Sequence, residues 1–465
     1  MTTWSPTLTG PWPQSELESI LEDALRVLAE VGVACAHEAT IARLREQGGV
    51  EHRDGRLRFE VAATRDHVLR VRDGRAHAEP DDLTLTMDGC WAGLQYCDPA
   101  TGVVRPGTTD EVIAMTRLWE ARGYAGVPPL QPGDVPPRLV TLACERIALL
   151  HSSRLGGSMT VTDPREVEFL IEMNLAAGRR YTLVEQVPIS PLRFDDHGLE
   201  TIHRFLGRPD LNVSVTSSIP MAGATCPLDP RAAMVQSVAE AVAHDRLCQA
   251  LGLGPGGMGL RVEPFDFQYS FIVFGSPEWC LYRVLVRQMH EFLSGRAPRG
   301  GMFRSVAKRP DAQAAAERTA SVLWQALMGI RRFGAVGQLS VDEVFSPQQA
   351  VIDQEILAYV QRIIRGHDFS GEALDPVALI RQGVAEGSFI GVADTVRRFR
   401  EMYDFPSLFR HWNLGRWHTA GQPDILAEAW RRAQDEIAAC TFALPDDQAR
   451  DVERIHAEAV GALGR

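Results

Sequence analysis

Thr182-Leu-Val-Glu-Gln186, a helical stretch, Asn212-Val-Ser-Val215 and then the helix signal Asp229-Pro230 make up the part of the chain on which the fold reading turns. Two short runs rich in β-branched residues, separated by enough chain for a crossover helix, describe a β-α-β unit and therefore parallel strands. The alternation extends in both directions. Strand-like runs begin near Tyr124, Gly156, Thr182, Asn212, Gly259, Gly301, Phe333 and Phe389, 26 to 56 residues apart, and eight is the number that closes a parallel barrel. Asp163-Pro164, Asp229-Pro230, Ser276-Pro277 and Ser346-Pro347 each set a capping side chain ahead of a proline at the first helical position. These features predict an α/β fold, a (β/α)8 TIM barrel. An open doubly wound sheet is its rival, because periodicity does not separate a closed sheet from an open one.

Outside that region the text changes. Residues 1–107 read as an N-terminal helix and a small β-containing cap. Leu17, Leu21, Ala24, Leu25, Leu28 and Val31 share one helix face, Ser15 with Glu18 makes a capping box, and Gly32 suits the stop. Asp54-Gly55 and Asp73-Gly74 mark turns. The barrel then occupies residues 108–423, and helical stretches at 424–441 and 445–463 place 424–465 as helices packed on its outside.

The 60 acidic side chains outnumber the 48 basic ones, giving a net charge of -12 with no strong basic block. Such a balance repels phosphate backbones and anionic headgroups, so no nucleic-acid or membrane partner is expected. The first residues have no cationic and apolar leader pattern, and no apolar run reaches spanning length, which predicts a cytoplasmic protein. Eight cysteines occur without a C-x-x-C pair and read as reduced, buried thiols; no metal-ligand set emerges. Gly252-Leu-Gly254-Pro-Gly256-Gly257 follows a helix and contains proline, so it reads as a helix stop rather than a dinucleotide loop. Asp195-Asp196-His197-Gly198 resembles the start of a corrinoid-ligating D-x-H-x-x-G sequence, but Glu200 stands where its final glycine belongs.

Further fragments come in a fixed order. They are Leu28-Ala-Glu-Val-Gly32, Gln131-Pro-Gly-Asp-Val-Pro136, Ser190-Pro-Leu192, Met221-Ala-Gly-Ala-Thr-Cys-Pro227 ahead of Ala239-Glu240, Gly275-Ser-Pro-Glu278, Lys308-Arg-Pro-Asp-Ala-Gln313 with Glu317, Val351-Ile-Asp-Gln-Glu355, and residues 412–421. In that order and spacing they resemble the trimethylamine methyltransferase family, whose members include enzymes of glycine betaine and related quaternary amines. The likeness covers nearly the whole chain. It implies a (β/α)8 fold and transfer of a methyl group from a small methylated amine to a corrinoid (cobalamin) supplied by a partner protein. The archetypal trimethylamine enzyme uses pyrrolysine, whereas this chain has standard residues only, which points to a non-pyrrolysine branch and a quaternary or tertiary amine such as a betaine. The resemblance also implies a His-Thr pair where Asp394-Thr395 stands, which makes Asp394 a catalytic candidate.

A quaternary cation has no N–H to donate, so aromatic faces and a carboxylate are its natural partners. Glu263 supplies a counter-charge, and Phe265, Phe267 and Tyr269 supply rings just after a proposed strand. Arg304 is a candidate for a substrate carboxylate. Glu185, Gln186 and Gln338 lie at other strand ends, where polar side chains line a mouth or satisfy backbone groups. His411 and Trp412 are candidates for corrinoid or partner contact, or anchors for the terminal helices. Two other readings stay open: a divergent lyase or hydrolase without a corrinoid, and a non-catalytic amine sensor. The oligomeric state also stays open, a homo-oligomer included.

Overall fold

The structure is a computed structural model, and it describes residues 3–4, 7–73, 82–89, 91–157, 161, 163–254, 256–296, 298, 300–368 and 375–464. The N-terminal helix, Gln14–Glu30, buries Leu17, Ile20, Leu21, Ala24, Leu25 and Leu28 on the face the periodicity predicts. Its start differs from the expectation. Pro13 is the N-cap and no side chain caps the helix, so Ser15 and Glu18 already lie inside its first turn. Gly32, at φ 72°, donates its N–H to Val27 O and ends the helix as read from the sequence.

This helix packs against Pro230–Ala250, a helix buried on nearly every face, its buried residues including Glu240, His244, Asp245 and Arg246. Around them lies a five-stranded sheet in the order Val50–Arg53, Arg56–Phe59, Val33–Ala34, Arg193–Phe194, Pro188–Ile189. A second core gathers Trp119, Phe303, Phe333 and Phe345. The Ile425–Ala439 helix lies over this core against Pro347–Arg365, and Asp446–Leu463 lies against Pro164–Ala176.

The β-α-β unit forms: Tyr181–Glu185 pairs in parallel with Leu211–Val215, with Leu211 opposite Tyr181. A second parallel group joins Gly300–Met302 to Arg332–Gly334, and Arg332 and Phe333 to Thr86 and Met87. The closed (β/α)8 TIM barrel does not form. Among the described residues the paired strands fall into six separate open sheets. The cause is local. Among the described residues, the runs near Tyr124 and Gly156 meet only at an isolated bridge between Gly126 and Leu155, and the run from Gly259 only at a bridge between Glu263 and Met221. Pro128, Pro129, Pro220 and Pro264 flank these bridges and lack the N–H that a ladder needs. Phe389 begins no strand, because its segment turns into the Ala393–Met402 helix. Among the described residues, no helix is long and apolar enough to cross a membrane.

Two buried groups fasten the second core. Arg318 and Asp353 are wholly enclosed and paired, and Arg318 also donates to Ala335 O and to Gln338 O. Gly337 N donates to Asp353 at 2.7 Å, so the turn carrying Gln338 is held by this pair.

Candidate functional site

Ser276 caps the Pro277–Ser294 helix by accepting from Trp279 N at 3.2 Å, with Pro277 at the first position. From that start, Trp279, Arg283, Val286, Arg287 and His290 fall on one helical face. Opposite them run residues 259–263, the Gly300–Met302 strand and Arg304. Together these enclose a cavity of about 250 Å3.

Glu263 is the central acid. Its backbone is fixed on both sides, donating to Pro220 O and accepting from Ala222 N, each at 2.9 Å. Its side chain is 3% exposed, with Oε1 3.2 Å from Arg283 Nη2. Oε2 is buried with no hydrogen-bond partner among the described residues. Arg283 donates to Val262 O at 2.6 Å and lies 5.1 Å from the centre of the Trp279 ring. Burial lowers the guanidinium pKa and Glu263 opposes that. A carboxylate half engaged and half bare in an enclosed space is a place where an incoming cation recovers interaction energy.

Arg304 borders the same cavity. It is 5% exposed, its guanidinium carbon sits 4.1 Å from the Phe274 ring centre, and its Nη2 lies 2.6 Å from Met302 Sδ. Burial pushes the neighbouring Asp342 carboxyl up, and Arg304 works against that shift. Of the residues read from the sequence, Glu263 and Arg304 are thus brought together on one cavity.

The others are placed as follows. Phe265 is half-buried in a hairpin of Phe265–Asp266 with Phe271–Ile272. Phe267 meets Phe265 edge to face at 5.4 Å and closes over Gly223, where a Cβ would lie 2.4 Å from its ring. Tyr269 is 75% exposed at the hairpin turn, which Asp266 holds through Gln268 N and Tyr269 N. Glu185 is buried at the end of its strand; burial, with Asp195 adding to it, pushes its pKa up to about 7. Gln186 is exposed and spends its amide on Pro188 O and Ser217 O, at 2.8 and 3.1 Å, while accepting from Thr216. Gln338 is buried, donates to Trp91 O, and leaves its Oε1 without a partner among the described residues.

None of these six lines the cavity, and neither do the remaining three candidates. Asp394 is on the outer Ala393–Met402 helix, 3.2 Å from Arg397 and 3.9 Å from Arg398. His411 and Trp412 are exposed, and Trp412 lies against Arg410 and Arg416 with ring-centre distances of 4.6 and 5.3 Å. Trp412 borders a separate groove with Trp417 and Glu428. Asp195 caps its own helix by accepting from Gly198 N at 2.9 Å. Among the described residues, no group of three His, Cys, Asp or Glu side chains is placed to hold a metal ion.

Arg283 and Trp279 are the site residues that sequence reasoning missed. The signal available was their helical spacing behind Ser276-Pro277, in register with Arg287 and His290.

The profile of the family described as Trimethylamine methyltransferase (MTTB) matches residues 6–453. The chain belongs to this family. It is similar to the trimethylamine methyltransferase MttB of Methanosarcina thermophila, at 28% identity over 256 residues, which is 54% of this chain and 51% of the relative. The MttB of Methanosarcina barkeri (strain Fusaro / DSM 804) is 29% identical over 257 residues, covering 54% of this chain and 50% of the relative. The MttB of Desulfitobacterium hafniense (strain DSM 10664 / DCB-2) is 25% identical over 353 residues, covering 73% and 70%. The chain spans about half the length of the Methanosarcina relatives it matches.

Proposed function

We propose that this chain transfers a methyl group from a small quaternary amine, of the betaine type, to the cobalt of a corrinoid carried by a partner protein. The observation that carries the reading is that Glu263 and Arg304 are opposite, buried charges on one cavity, whose lining also carries Arg261, Arg283 and Arg287. The volume of about 250 Å3 equals roughly eight water volumes. That lies just below the range of about 300–1,000 Å3 for drug-sized ligands. It suits a small zwitterion.

In this reading Glu263 Oε2 faces the ammonium and Arg283 keeps the other carboxylate oxygen in place. Arg304 takes the substrate carboxylate through charge-assisted hydrogen bonds. Reduced cobalt is the methyl acceptor. When presented by its partner, the corrinoid would supply the two electrons that bind the methyl group, and the pair of the broken methyl–nitrogen bond would stay on nitrogen. A quaternary ammonium leaves as a neutral tertiary amine, so the chain needs no acid for the leaving group. Its work is orientation and exclusion of water. The family membership and the trimethylamine activity named for the relatives support the methyl-transfer class.

Titration calorimetry with glycine betaine and proline betaine tests the binding half. Binding that weakens at least tenfold in Glu263→Gln and in Arg304→Met fits the reading. Equal binding by all three proteins refutes it.

A further inference from the structure

We infer that the cavity beside Glu263 also binds a small oxyanion of the phosphate class, held by Arg261, Arg283 and Arg287. The inference stands on the charge of the lining and not on the betaine reading, since a zwitterion adds no net charge to that lining.

Arg261, Arg283, Arg287 and Arg304 line a space of about 250 Å3, and Glu263 is the one carboxylate among the lining residues. Carboxylates beyond the lining offset part of the excess. Arg287 pairs with Glu291 at 2.8 Å, and Asp342 neighbours Arg304, although burial pushes the Asp342 carboxyl up toward its neutral form. Arg261 is half-buried, with no carboxylate paired to it among the described residues. Its charge reaches Arg283, whose pKa is lowered by burial first and by Arg261 in addition, with Glu263 opposing both.

A guanidinium does not shed its charge by losing a proton. In an enclosed space the repulsion therefore persists until a counter-charge arrives. The donors tell the same story. Arg283 Nε and Arg287 Nε are buried without an acceptor among the described residues, and the two residues lie one turn apart on the Pro277–Ser294 helix. Arginine forks grip carboxylate and phosphate oxygens through paired hydrogen bonds. A carboxylate offers its two oxygens in one plane, whereas a tetrahedral oxyanion offers acceptors in several directions. The second shape suits arginines arriving from the run at 259–263 on one side and from a helix on the other. The whole chain carries -12, so this lining reverses the sign locally and draws an anion inward.

Titration calorimetry of the full chain with inorganic phosphate, at constant ionic strength and without any amine, tests the site. Saturable binding is expected, weakened at least tenfold in Arg261→Met and in Arg287→Met. Arg454→Met, on the exposed side of the Asp446–Leu463 helix, should bind as wild type does. Glycerol phosphate run beside phosphate tells a phosphorylated metabolite from the free anion, and tighter binding of either supports the site. Hydrogen exchange on the wild type decides independently of how the variants fold: phosphate, and not chloride at the same ionic strength, should slow exchange over residues 283–290. Phosphate binding undiminished in both variants, no saturable binding below ~10 mM, or equal protection by chloride would each overturn the inference. Betaine binding that persists where phosphate binding is absent would sink this inference alone.

Discussion

Glu263 Oε1 lies 3.2 Å from Arg283 Nη2, with both side chains withdrawn from solvent and Arg283 lying against Trp279. The pair ties the Pro277–Ser294 helix to the run ending at Glu263, and it leaves Oε2 buried without a hydrogen-bond partner among the described residues.

Arg283→Met is expected to lower unfolding stability by ~3–5 kcal/mol, because it leaves a buried carboxylate without its cation. Glu263→Gln keeps the shape and can still hydrogen-bond, so its cost should be smaller. Urea unfolding of both variants checks the order, and a smaller loss in Arg283→Met than in Glu263→Gln would contradict it.

Arg304→Met should raise the KM for a betaine by roughly tenfold to a hundredfold, the ~1.5–3 kcal/mol of a hydrogen bond to a charged group. A quaternary amine without a carboxylate should show no such change. Steady-state kinetics on a betaine and on choline separates these outcomes; a uniform loss would make Arg304 structural.

Glu185 is held at about 7, against an ordinary 4.5, mainly by burial. The folded chain keeps a proton that the unfolded chain releases between those values. The group therefore favours folding fully below the lower value, and that contribution is lost as pH rises through the upper one. Glu185→Gln should gain up to ~3 kcal/mol over wild type at about pH 8 and little at about pH 4. Glu145 and Glu166 are raised in the same way, so the variant removes only its own share of the dependence. Denaturant unfolding at the two pH values reads this directly.

Arg318→Met should cost ~3–5 kcal/mol by stranding the enclosed Asp353, and joint replacement with Asp353→Leu should recover much of it. Thermal unfolding of the single and double variants tests the coupling. Additive losses would contradict it.

Local chemistry was legible in the sequence. Asp163, Asp229, Ser276 and Ser346 all cap the helices assigned to them, each through a side-chain oxygen. The turn at Asp54-Gly55 joins two paired strands as read, and the parallel pairing of the strands at Thr182 and Asn212 followed from their crossover. Closure was not legible, because an isolated bridge and a full ladder share one hydrophobic pattern; the prolines around Glu263 and Gly126 are what differ. Ser15 misled because Pro13 starts its helix earlier without a side-chain cap. Glu263 and Arg304 were named singly from charge and position, and the structure places both on one cavity. Arg283 was not, since its contact with Glu263 depends on how the helix packs rather than on any local spacing.

The central claim is methyl transfer at the cavity shared by Glu263 and Arg304. It is tested most directly by mixing the chain with a reduced corrinoid protein and glycine betaine while following the cobalt absorption spectrum and dimethylglycine. The account predicts a methyl–cobalt spectrum with one equivalent of demethylated amine, both lost in Glu263→Gln. No methyl–cobalt product from any betaine, carnitine, choline or trimethylamine, with an active corrinoid partner present, would contradict it.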